Sequence, residues 1–164
     1  IGLDYHWDTP SRAAQQALFV RQLVLADAAG LPVQIHSRDC CQDMLALLRE
    51  HRALLKRGFL MHCYSHGAAN LPAFSELGAY FSFGGVACFK NAANVWESVK
   101  ACPADRILTE TDSPYLSPFR GQKNTSANIP VIARRLAVLR ETDEALFAEQ
   151  VRKNAHTLFS KLGK

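Results

Sequence analysis

Three side chains suited to holding a divalent metal ion fall at equivalent places along this sequence. His36 closes the apolar stretch Pro32-Val33-Gln34-Ile35-His36 and is followed by Ser37-Arg38-Asp39. His62 lies near the end of a second such stretch, Gly58 to Tyr64, with Ser65-His66 behind it. Asp112 follows a third, Ile107 to Thr111, and precedes Ser113-Pro114-Tyr115-Leu116. Neutral imidazole nitrogen and carboxylate oxygen together suit zinc, manganese and related ions. Taken singly, each has a plainer reading. A histidine at a strand end is commonly a hydrogen-bonded core residue, and Asp112 could cap the turn ahead of Pro114. Taken together at three strand ends they favour a metal site, because parallel α/β folds bind ligands at the carboxyl ends of their strands. Glu110, two residues before Asp112, is expected to share its strand face by the period of two. It would support the reaction, by orienting water, or sit in an internal ion pair.

The elements that must carry these residues alternate between apolar strands and amphipathic helices. Thr9 is expected to cap a first helix with Pro10 at its first position, and Gly30 to end it. Ala14, Ala17, Leu18, Val20 and Leu25 supply much of that helix's apolar content. Asp39 can cap a second helix whose Met44, Leu45, Leu47 and Leu48 form an apolar face. Further helices are expected over 68–77, 95–101, 129–140 and 143–162, and strands over 58–64, 79–83 and 107–111, with Gly84-Gly85 as a tight turn or bulge. Phe19, Phe59, Phe74 and Phe147 read as core, and Cys63 as strand filling. The polar segment 113–128, rich in Pro, Gly, Ser and Asn, is a loop long enough to suggest function. Strands alternating with helices imply a parallel sheet with right-handed crossovers. About five strands are too few for an eight-stranded barrel, so the chain is either an open sheet or the later part of a barrel.

Composition narrows the class. The chain has 164 residues, 48% hydrophobic and 21% charged, enough for one core and incompatible with wholesale disorder. No apolar run reaches the ~18–20 residues of a membrane span. The net charge of +4 tolerates a polyanionic substrate without requiring one. Five cysteines, an odd number with Cys40 and Cys41 adjacent and no CxxC pair, point to reduced thiols and a cytoplasmic setting. No nucleophile elbow, P-loop or dinucleotide fingerprint competes with the metal site. The sequence starts without Met, inside what reads as a strand, so an N-terminal portion is expected to be missing.

The ordered series Gly2-Leu3-Asp4-Tyr5, Pro32 to Asp39, Met61 to Gly67 and Glu110 to Leu116 resembles the TatD family of metal-dependent deoxyribonucleases. Gln15, Gln16, Phe19 and Gln22, the run Phe81 to Gly85, Arg120-Gly121 with Asn124, and Asn154 before Leu158-Phe159 support the likeness, which covers essentially the whole chain. The resemblance implies an α/β fold of parallel (β/α)8 TIM-barrel type, of the amidohydrolase-like class. Here it would be incomplete, its strands corresponding to the fourth to eighth, with residues 1–164 forming a single hydrolase domain. It implies one to three divalent ions, zinc, magnesium and manganese not being distinguished. His36, His62 and Asp112 match three family ligands, whereas the family's HxH pair and a glutamate would lie upstream of Ile1. The run Asn124-Thr125-Ser126 departs from the Asn-Glu-Pro that many members carry.

The expected activity is phosphodiester cleavage of DNA by a metal-activated water, with Asp112 as general base and Glu110 in support. Arg38 and Arg120 could clamp phosphate, Tyr115 or Tyr64 could stack a base, and His66 or His6 could touch substrate. His51 and His156 are assigned no role. Two alternatives stand beside this: a metal-dependent ester, lactone or amide hydrolase on the same barrel, and a catalytically inert binding or assembly remnant.

Overall fold

The computed structural model describes residues 1–7 and 10–161. Its elements are β1 (Gly2–Asp4), α1 (Arg12–Ala29), β2 (Val33–Arg38), α2 (Cys41–Glu50), β3 (Phe59–Met61), α3 (Leu71–Ser75), β4 (Ala79–Phe83), α4 (Ala93–Ala101), β5 (Ile107–Thr109), α5 (Ile129–Leu139) and α6 (Glu144–Leu158). Short 3-10 turns punctuate the connections. Two compact units are present: Ile1–His62 with Pro72–Tyr80, and Cys63–Leu71 with Phe81–Lys164. No described helix is long and apolar enough to cross a membrane.

In the first unit β1, β2 and β3 pair in parallel. Gly2 stands opposite His36 and Asp4 opposite Arg38, while Gln34 stands opposite Leu60. Side chains of β2 alternate, so Val33, Ile35 and Ser37 are buried while Gln34, His36 and Arg38 face out. Phe19 and Leu23 of α1, Met44 and Leu48 of α2, and Phe59, Met61 and Phe74 fill the core. Gly30 ends α1 in the left-handed region at φ 62°, where a side chain would be strained. A Cβ on Gly2 would collide with the His36 carbonyl, so glycine permits the β1–β2 approach beside His36.

In the second unit β4 pairs with β5 in parallel, Ser82 opposite Leu108 and Phe83 opposite Thr109. Helix α6 packs on β5 and on α5. Phe81, Phe83, Val99, Ile107, Ile132, Leu136, Phe147 and Leu158 form the core. Asp143 caps α6, accepting from the N–H groups of Ala145 (2.8 Å) and Leu146 (3.1 Å). Asn154, almost wholly buried, donates to the carbonyls of Ala104 and Ile107 at 2.8 Å each, tying α6 to the start of β5.

Several local expectations are corrected. Helix α1 starts at Arg12 and is capped by Ser11, whose hydroxyl accepts from Ala14 N–H at 3.4 Å; Thr9 lies outside the described residues. Ala14, Ala17, Leu18 and Leu25 are exposed, so Phe19 and Leu23 carry the buried stripe. Asp39 does not cap α2: it takes φ 55° and Cys40 occupies the cap position. Strands β3 and β5 stop at Met61 and Thr109, leaving His62, Glu110 and Asp112 just past strand ends, whereas β2 runs on to Arg38, so His36 lies inside its strand and does not close it. The expected helix over 68–77 is a 3-10 turn followed by the short α3. Helix α6 is shorter than 143–162, and Leu162 lies outside the described residues.

Candidate active site

The first unit supplies two imidazoles. The His36 and His62 rings lie with centroids 6.3 Å apart, tilted by 40°. Backbone pairing places both: His36 N–H donates to Ile1 O (2.8 Å) and His62 N–H to Ile35 O (2.9 Å). Each ring has one nitrogen engaged by a neighbouring strand. Asp4 Oδ2 is 2.9 Å from His36 Nε2, and Gln34 Nε2 lies 3.5 Å from His62 Nδ1, at the outer limit of a hydrogen bond. Burial acts to raise the Asp4 carboxyl. The hydrogen bonds from His36 and from His6 N–H outweigh it, with the charges of His36 and Arg38 adding, so the group titrates below its ordinary value. Asp4 therefore stays ionised and holds the proton of His36 on Nε2, the orientation a metal-ligating histidine uses.

The second unit supplies two carboxylates. Asp112 takes φ 57° just past β5, and Tyr115 N–H closes the turn on the Asp112 carbonyl at 2.9 Å. Glu110 N–H donates to Phe83 O at 3.2 Å. The chain leaves extended geometry between the two carboxylates, so the period-two argument for a shared strand face fails. Ser82, fully buried, donates its hydroxyl to Glu110 Oε2. Cys63 is no strand filler: it turns at φ 47° beyond β3 and faces Glu110 and Asp112. Burial first, then the charges of Glu110 and Asp112 and a hydrogen bond to Glu110, push its thiol up to about 12. A neutral thiol thus donates where a thiolate would be a third negative charge.

Asn124 organises the loop around Asp112. Its buried amide donates to the Thr111 carbonyl (2.6 Å) and the Leu116 carbonyl (3.3 Å), bracketing Asp112 through Leu116. Its own N–H reaches Pro114 O at 3.0 Å, and its Oδ1 accepts from Asn128 at 2.8 Å.

The other sequence candidates divide. Arg38 is exposed at the end of β2, with Asp4 opposite it on β1. Tyr115 is 70% exposed and open to a ligand. Tyr64 is not: it is buried edge-to-face on Phe81 and Phe83, with its hydroxyl donating to Gly67 O at 2.9 Å. His66 stands edge-on to that ring at 5.7 Å. His6 lies 3.5 Å from Asp39. Arg120 is exposed on the wall of a groove. Sequence reasoning gave no role to Asp4, Gln34, Ser82 or Cys63. Only the strand register could have singled out Asp4 and Gln34, by setting them on the His36 face and beside β3.

Among the described residues no group of three or more His, Cys, Asp or Glu side chains forms a complete metal cluster. The donors present still fit a divalent ion in kind: two imidazoles, His36 held from behind by Asp4, and two carboxylates, Glu110 with one oxygen held by Ser82.

A family model described as TatD-related DNase matches residues 1–160. The metal-dependent hydrolase YabD of Bacillus subtilis is 38% identical over 161 residues, covering 97% of this chain and 63% of that protein. The 3'-5' ssDNA/RNA exonuclease TatD of Edwardsiella piscicida is 32% identical over 165 residues, covering 96% and 63%. The chain thus spans less than two thirds of these relatives' length. The crystal structure of YjjV, a TatD homologue from Escherichia coli, superimposes with a TM-score of 0.91 at 30% identity over 98% of this chain and 62% of that one. An amidohydrolase from Saccharomyces cerevisiae matches in fold, with a TM-score of 0.83 at 16% identity. With His36 in the later half of β2, His62 and two carboxylates just past β3 and β5, and a family match along nearly its whole length, the chain belongs to the TatD-related DNase family of metal-dependent hydrolases.

Proposed function

We propose that this chain carries part of the active site of a phosphodiesterase that cleaves nucleic acid, with His36, His62 and Asp112 among the ligands of one to three divalent ions. The observation that carries the reading is the His36 imidazole, held from behind by Asp4, with the His62 ring 6.3 Å from it between centroids. Asp4 keeps the proton of His36 on Nε2 and leaves Nδ1 as the donor atom. Gln34 Nε2 lies 3.5 Å from Nδ1 of His62, at the outer limit of a hydrogen bond. Held by these residues, a divalent ion would supply an acidified water and charge neutralisation at a phosphoryl oxygen. Asp112 takes the proton of the attacking water as general base. Glu110, held by Ser82 and Cys63, orients that water. Arg38 and Arg120 meet substrate phosphate, Tyr115 offers a stacking face, and His66 lies within reach of substrate. The printed activity of the Edwardsiella relative, on single-stranded DNA and RNA, supports the substrate class.

The test is a side-by-side assay of the full-length protein on a 3'-labelled single-stranded oligonucleotide and on an aryl ester. Chelator-sensitive shortening of the oligonucleotide is expected. Ester hydrolysis with an intact oligonucleotide would move the assignment to the other hydrolases of this barrel. Neither activity, with no metal bound, would support the inert remnant.

A further inference from the structure

A groove of about 720 Å³ in the second unit contributes only Arg120 to the chemistry above. Its walls are the segments Cys88–Asn91 and Leu116–Gln122. The size falls within the roughly 300–1,000 Å³ of small-ligand clefts. Two cations, Lys90 and Arg120, line it, and no Asp or Glu does. Two aromatic rings line it as well: Phe119, 43% exposed, and the half-buried Phe89.

Both walls are anchored. Ala87, next to the first wall, has its carbonyl fixed by Trp96 Nε1 (2.9 Å) and Arg135 Nε (3.1 Å). The second wall is seated on the Gly84-Gly85 turn. A Cβ at Gly85 would collide with the Leu116 carbonyl, and one at Gly84 would meet Glu110 Cγ at 3.4 Å. Adjacent residues of one turn therefore carry the groove wall and the buried carboxylate Glu110. Preformed walls lower the ordering cost of binding.

We propose that this groove binds single-stranded nucleic acid leading to the cleaved bond, with Phe89 and Phe119 stacking on bases and Lys90 and Arg120 meeting phosphates. Aromatic faces interleaved with cations match a polymer that alternates π-faces with anionic links. An acidic peptide would use the cations and leave the rings idle. The proposal rests on the phosphodiesterase reading for the identity of the cleaved bond, and not for the binding itself.

The experiment is fluorescence anisotropy of a labelled twelve-nucleotide oligo(dT) on the full-length protein, with chelator present to stop turnover. Wild type, Lys90→Ala, Phe119→Ala and, as a control of equal charge loss, Lys153→Ala are compared over a salt series. Lys90, Phe119 and Lys153 are all exposed, so truncation leaves the core intact. Phe119→Ala should weaken binding about fivefold or more. Lys90→Ala should flatten the slope of log affinity against log salt by about 0.7, one phosphate contact on a single strand. Lys153→Ala should change neither. Wild-type affinity and slope in both groove variants, equal losses in Lys153→Ala, or equal competition by polyglutamate of matched charge would overturn the proposal. Oligonucleotide that binds through the groove but is never cut would overturn the phosphodiesterase reading and leave the groove standing. Cleavage with wild-type KM in both groove variants would do the reverse.

Discussion

Asp4 Oδ2 lies 2.9 Å from His36 Nε2, a carboxylate on β1 reaching the imidazole of the neighbouring strand. The contact depends on the register that sets Gly2 opposite His36. It defines which nitrogen of His36 carries the proton, and so which one can ligate. Partners of this kind typically tune metal affinity ten- to a hundredfold.

Asp4→Ala in the full-length protein should accordingly weaken divalent-metal affinity about ten- to a hundredfold, with Asp4→Asn recovering part of the loss. Competitive titration against a chromophoric chelator measures this. Wild-type affinity in Asp4→Ala would show that the contact does not position the ligand.

Asp112→Asn should lower kcat on an oligonucleotide by at least about a hundredfold while the far-UV spectrum and denaturation midpoint hold. The Asn124 amide bonds that bracket the loop go to backbone carbonyls, so they survive this substitution. Unchanged turnover would remove Asp112 from the general-base role.

Asn154→Leu should destabilise the fold by about 2–4 kcal/mol, because the carbonyls of Ala104 and Ile107 lose their buried donor. Urea denaturation of variant and wild type supplies the number. A cost under ~0.5 kcal/mol would mean that those carbonyls find other partners.

Cys102 gives an alkaline signature. Burial, only partly offset by the nearby Arg140 charge, pushes its thiol up to about 12 from an ordinary 9.0. Between those values the unfolded chain releases the proton and the folded chain keeps it, so stability falls as pH rises. The contribution is fully present below about pH 9 and is lost on the way to about pH 12. Wild type should lose stability more steeply over pH 9–11 than Cys102→Ala, measured by denaturant midpoints. Parallel curves would contradict this.

What was legible in the sequence follows from what is local. The Gly30 stop, the strand 79–83 and the core phenylalanines Phe19, Phe59, Phe74 and Phe147 are set by nearby residues and hold in the structure. The misplaced strand ends at His62 and Glu110 have a different origin. Asp39, Cys63 and Asp112 all adopt positive φ, which for Cys63 no local preference announces. Its turn accompanies a buried contact with Glu110, about fifty residues away in sequence. Asp4 and Gln34 become visible only through strand register. Phe89 and Phe119, some thirty residues apart, meet only once the two walls of the groove have folded.

The central claim is that His36 and His62 ligate a divalent ion. Elemental analysis of the purified full-length protein beside its His36→Ala and His62→Ala variants tests it most directly. Stoichiometric metal in the wild type, sharply reduced in both variants, is the predicted result; a wild-type metal-to-protein ratio in either variant would contradict it.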